Sequence, residues 1–186
     1  MAHVARSALR NRIDRMRAYQ LAVTLTLVPA CASPNTTGPA ATGSWTQASA
    51  ASVQAEVRAF ARAVAQDVTR EGPMAWQRHF EEGPAFFMAV NGRLAFADGA
   101  SAAAAMKTLV HTIQHVELQW GDDLRIDALA PELAVVAASY HEVRVDAAGV
   151  RIDEDGFFTG VVERRGERWR FRDAHWSVPI PAAAPH

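Results

Sequence analysis

Three strand-like runs in succession, Val135–Val145, Phe157–Arg165 and Arg168–Trp176, constrain this chain more than any other feature. Only Gly166-Glu167 separates the last two, too short a link for anything but an antiparallel hairpin. A chain committed to long neighbouring strands must cover one face of the resulting sheet with something apolar. The residues before Val135 hold the patterns that can provide that cover.

Helical patterns supply it. Ser52 is placed to cap a helix in which Val53, Val57, Phe60, Val64 and Val68 recur at helical spacing. Gly72-Pro73 ends that helix, and Pro73 can open a short second one carrying Met74, Trp76 and Phe80. Asn91-Gly92 between two apolar runs predicts a hairpin over Phe86–Phe96. A third helix is expected over Ser101–His115, then strands at Val116–Trp120 and Leu124–Ala128. Helices first and a strand meander afterwards define an α+β fold, with N-terminal helices packed on a mostly antiparallel sheet.

The 186 residues suit one domain with extensions. A net charge of −1, with arginines scattered instead of gathered in a stripe, gives no footprint for nucleic acid. The N-terminus is set apart from the domain. Arg6, Arg10, Arg12, Arg15 and Arg17 precede the apolar run Ala18–Ala30, which ends at the only cysteine, Cys31. That is the layout of a signal peptide over residues 1–31, with residues 1–15 expendable if translation starts at Met16. Leu27-Val28-Pro29-Ala30-Cys31 resembles the lipobox of bacterial lipoproteins, although Pro29 departs from its usual pattern. The resemblance implies lipidation of Cys31, a membrane anchor and an extracytoplasmic, periplasmic-side location. A plain secretory signal and an Arg-rich presequence are the other readings. Residues 32–51, rich in Ala, Ser, Thr, Gly and Pro, are expected to form a linker, and 179–186 a disordered tail.

Over residues 52–178, the order of elements and the closing run R-G-E-R-W-R-F-R-D-A-H-W-S resemble the nuclear transport factor 2-like superfamily, in its SnoaL-like branch. The resemblance implies a cone-shaped α+β barrel, its curved sheet and helices enclosing a small-molecule pocket open at one end. Members include steroid isomerases, polyketide cyclases, dehydratases, epoxide hydrolases and binding modules without chemistry, so the fold leaves the activity open.

Strand parity places Trp169, Phe171, Asp173 and His175 on one face, and Arg168, Arg170, Arg172 and Trp176 on the other. Asp173 and His175 are then candidate base and orienting partner, since a carboxylate among aromatics has its pKa raised. Alternatively Asp173 caps a turn or pairs with an arginine, and a β-bulge before His175 breaks the parity. On Val135–Val145 the valines that share a face with His141 point it inward, as a satisfied core histidine or a catalytic one. Tyr140, on the opposite face with Glu142, is a candidate oxyanion donor or a sheet-edge residue. Expected ligand-lining residues are Trp76, His79, Phe87, Trp120, Trp169 and Phe171. Asp153-Glu154-Asp155-Gly156 lacks the ligand spacing of a calcium loop and suits a solvated turn. His111 and His115 lack the glutamate of a metalloprotease motif. No metal and no cofactor is expected. Three classes of function remain: a tethered binder of an apolar ligand, a proton-transfer enzyme of isomerase, hydrolase or dehydratase type, and a homodimeric interaction module.

Overall fold

The computed structural model describes residues 45–179. Cys31, the signal-like leader, most of the linker and the residues after Pro179 lie outside that span. Helix α1 (Gln47–Glu71) buries Val53, Val57, Ala61, Val64 and Val68, the apolar stripe of the sequence. Its cap is Thr46, whose hydroxyl accepts from the Ser49 N–H, and not Ser52. Residues 47–51, assigned above to the linker, therefore belong to the helix. Their Ala/Ser/Gln composition hid them, since they add turns without adding apolar period. Gly72, at φ 77°, ends α1, and Pro73 opens a 3-10 segment, Pro73–Arg78.

Strands β1 (Phe87–Val90) and β2 (Arg93–Phe96) flank Asn91-Gly92, both at positive φ, the geometry that makes this dipeptide a tight-hairpin signal. Helix α2 runs only from Gly99 to Leu109, held by a reciprocal capping box between Asp98 and Ser101. The expected extension to His115 is corrected. β3 (Ile113–Trp120) starts within it, so His115 sits on a strand and shares no helical face with His111. β4 (Arg125–Ala130), β5 (Leu133–Asp146), β6 (Arg151–Arg165) and β7 (Arg168–Ser177) complete the sheet. The acidic run Asp153–Asp155 is also corrected: it lies inside β6, paired with Val143–His141, instead of in a turn.

The strands are ordered β2-β1-β7-β6-β5-β3, with β4 sharing the β5 edge with β3. Pairing is antiparallel except between β1 and β7. This curved seven-stranded sheet with its helices is the cone expected from the sequence. α1 lies across β3 and β4, tied to them by Gln54, Arg58 and Thr69 bonding main-chain groups of Ile126, Leu124 and Leu118. Phe86, Phe158 and Phe171 are fully buried between helices and sheet. Among the described residues no helix is long and apolar enough to cross a membrane.

Candidate functional site

The cone encloses a cavity of about 330 Å³, near the lower bound of typical small-molecule sites. Its wall is drawn from the 3-10 segment, β1, β2, α2 and the inward faces of β3, β5, β6 and β7. Most of that wall is apolar: Trp76, Phe80, Met88, Phe96, Met106 and Trp176 are representative. Trp176 stands edge-on to both Trp76 (5.6 Å) and Tyr140 (4.7 Å).

One end is different. β5 sends Tyr140, Glu142 and Arg144 inward at alternate positions, and β6 sends Glu154 to meet them. The Tyr140 hydroxyl donates to Glu154 Oε1 at 3.1 Å, and Arg144 Nη2 donates to Glu154 Oε2 at 3.2 Å. Arg144 Nε lies 3.0 Å from Glu142 Oε1 but off the line of a hydrogen bond, so this contact is an ion pair only. Burial pushes the Glu142 carboxyl above its ordinary range; Arg144 opposes that shift and Glu154 adds to it. Burial also raises the Tyr140 phenol, with the Glu154 charge acting in the same direction. Gly156 stands opposite Tyr140 in the β5–β6 ladder, where a Cβ would fall 2.5 Å from the tyrosine ring. The bare glycine is what lets that ring lie flat and reach Glu154.

Of the residues singled out from sequence, Trp76 and Tyr140 line the cavity. Trp120 forms a second layer, stacked on Trp176 at 5.8 Å and donating its indole N–H to Ala61 O. Phe171 is core, packed against Phe60 and Phe158. Trp169 is buried elsewhere, donating to Glu56 beneath the Arg164 guanidinium. His79 is buried behind the wall, bonded to Asp67 at 3.1 Å, and burial lowers its pKa. Phe87 is 47% exposed; its neighbour Phe86 takes the inward position.

Two parity expectations are corrected. A β-bulge sets Val162 against Phe171 but Val161 against Asp173, so Arg172 is the extra residue. Beyond it Ala174 and Trp176 turn inward, and Asp173 and His175 face the outside of the sheet. Asp173 is half-buried there, accepting from the Val161 N–H at 3.1 Å; burial raises its pKa while that bond opposes the shift. His175 is exposed. On β5 the faces are exchanged: Tyr140 and Glu142 point in, while His141 points out between Asp155 (2.9 Å) and Asp153 (3.2 Å). Glu142, Arg144 and Glu154 were not singled out as site residues. Their signal in sequence was the Tyr-x-Glu-x-Arg alternation, which puts three polar groups on one strand face. Among the described residues no group of acidic, His or Cys side chains is arranged to hold a metal ion.

Solved structures share this architecture. A nuclear transport factor 2-like superfamily protein from Salmonella enterica serovar Typhimurium matches with a TM-score of 0.61 at 16% identity, over 72% of this chain and 95% of its own. A putative scytalone dehydratase from Novosphingobium aromaticivorans matches at 0.58 and 13% identity, over 70% of this chain and 88% of its own. A type 2 hexachlorocyclohexane dehydrochlorinase (LinA) matches at 0.54 and 12%, over 72% and 93%. The chain matches no protein-family model and no curated protein. At these identities the likeness shows the fold alone: an α+β cone like that of the nuclear transport factor 2-like structure.

Proposed function

We propose that this protein is an extracytoplasmic binder of a small, largely apolar molecule, held in the cone and tethered to a membrane through a lipidated Cys31. The observation that carries the binding role is the cavity itself, whose wall is apolar except for one clustered polar end. Such a site buries a ligand's hydrocarbon body and orients it by one polar group. Two of the similar structures are a putative dehydratase and a dehydrochlorinase of small organic compounds, which agrees with a small-molecule role. Binding is preferred to catalysis because the Tyr140 hydroxyl is already engaged by Glu154. Asp173 and His175, on the outer face, take no part in this reading. The tether rests on the leader sequence alone.

Native mass spectrometry of the full chain, expressed in a bacterium and extracted from its membranes, tests both halves. The expected result is a chain beginning at diacylated Cys31 that releases a small molecule on denaturation, or takes up the neutral dye Nile red in competition with apolar compounds. A soluble chain that keeps its leader would overturn the tether. A protein that carries nothing and takes up no dye would overturn the pocket.

A further inference from the structure

From the charges lining the cavity we infer that its ligand is a monocation, a small apolar or aromatic body carrying one primary or secondary ammonium group. This rests on the binding role proposed above and names the ligand class. The polar end of the cavity holds two carboxylates, Glu142 and Glu154, against a single guanidinium, Arg144. Glu154 is committed on both oxygens, to Tyr140 and to Arg144. Glu142 is not. Its side chain is 14% exposed, and its counter-charge is the guanidinium that Glu154 also holds. The remaining wall, from the 3-10 segment, β1, β2, α2, β3 and β7, presents no other charge; Asn91 is its one polar side chain.

An excess carboxylate in an apolar cavity costs desolvation energy that a matching cation offsets. An ammonium at Glu142 would be bonded by that carboxylate in a cavity that Tyr140 and Trp176 also line, rings of the kind whose faces attract cations. An anionic ligand would meet the same two carboxylates with its only counter-charge already shared. A neutral ligand would leave Glu142 unmatched. The direction of Glu142's titration agrees: burial raises its pKa, an ammonium binds the ionised carboxylate, and affinity therefore rises as pH rises and that carboxyl ionises. The groups facing Glu142 in that equilibrium are Arg144, Glu154 and Tyr140.

Three near-isosteric probes test this on the full chain: phenethylamine, 2-phenylethanol and phenylacetate, titrated by calorimetry and by quenching of tryptophan fluorescence. The amine is expected to bind about tenfold or more tighter than the alcohol, the scale of one charge-assisted hydrogen bond, and phenylacetate weakest. The amine's affinity should increase from mildly acidic to neutral pH while the alcohol's stays flat. Glu142→Gln should remove the amine's advantage over the alcohol. Should that variant fail to fold, the pH profile of the unaltered protein still decides. Phenylacetate binding as well as the amine, equal binding of amine and alcohol, or an amine affinity that falls with rising pH would each overturn the inference. Nile red uptake without any amine binding would sink the ligand class while sparing the pocket. Loss of both would sink the pocket reading itself.

Discussion

Tyr140-x-Glu142-x-Arg144 on β5 and Asp173-x-His175 on β7 are two short polar alternations on long strands of one sheet, yet they face opposite ways. The β5 set lines the cavity together with Glu154. The β7 pair lies outside, where Asp173 is half-buried against a bulged backbone and His175 is in water. Both carboxyls have raised pKa values with burial as the leading cause. A perturbed carboxyl therefore does not by itself mark a site. What separates the two is whether neighbouring side chains converge on a space a ligand can occupy.

Five substitutions test that contrast. Gly156→Val should do the most damage. Its Cβ meets the Tyr140 ring and the Ser177 carbonyl, and the backbone partner cannot swing aside. A loss of about 3 kcal/mol, the upper end for overpacking, is expected in urea unfolding, together with altered tryptophan fluorescence as Tyr140 is pushed off Trp176. Glu154→Ala leaves a buried phenol and a guanidinium without their acceptor and should cost about 1–2 kcal/mol. It should also lower the Tyr140 pKa, readable as a shift of the ultraviolet phenolate titration, since the Glu154 charge helps to raise it.

Glu142→Gln acts through pH. A carboxyl whose pKa is higher folded than unfolded makes the native state bind more protons, so stability falls as pH rises from the ordinary glutamate value of 4.5 through the raised folded value. The variant should flatten that slope and be more stable than the parent at neutral pH, while binding amine poorly; urea midpoints on the acidic and neutral sides check the sign. Asp173→Asn should flatten a slope of the same sign, since burial raises that carboxyl against the opposing Val161 N–H bond and Arg172 charge. It should leave probe binding unchanged. His175→Ala is expected within about 0.5 kcal/mol of the parent in stability, with no change in binding. Loss of ligand binding in either β7 variant would return the site to the outer face.

The architecture was legible because it follows from strong local signals: Asn91-Gly92, Gly72-Pro73, the period of Val53–Val68 and the Gly166 turn. The facing of side chains was not, for two physical reasons. On β5 both faces are small and apolar, Val135 and Ala137 on one and Ala134, Val136 and Ala138 on the other, so alternation alone cannot tell inside from outside. On β7 one extra residue, Arg172, reverses everything after it, and a bulge among charged residues leaves no mark in hydropathy. Glu154 was hidden differently. Two outward aspartates beside it made the run look like a solvated turn.

The four polar groups at the charged end of the cavity all lie on the β5–β6 hairpin, within residues 140–154. Their meeting depends on the register of that ladder, which the turn at its tip sets. There Asp146 Oδ1 accepts from the Ala148 and Val150 N–H groups, and Gly149 takes φ 81°. A slip of one residue at that turn would carry Glu154 to the outer face and bring an aspartate in its place. On the proposed binding role, ligand choice would be encoded partly in a reverse turn that lies outside the cavity wall. Insertions or deletions between Asp146 and Arg151 would be an economical route by which such a domain changes what it recognises without altering its core.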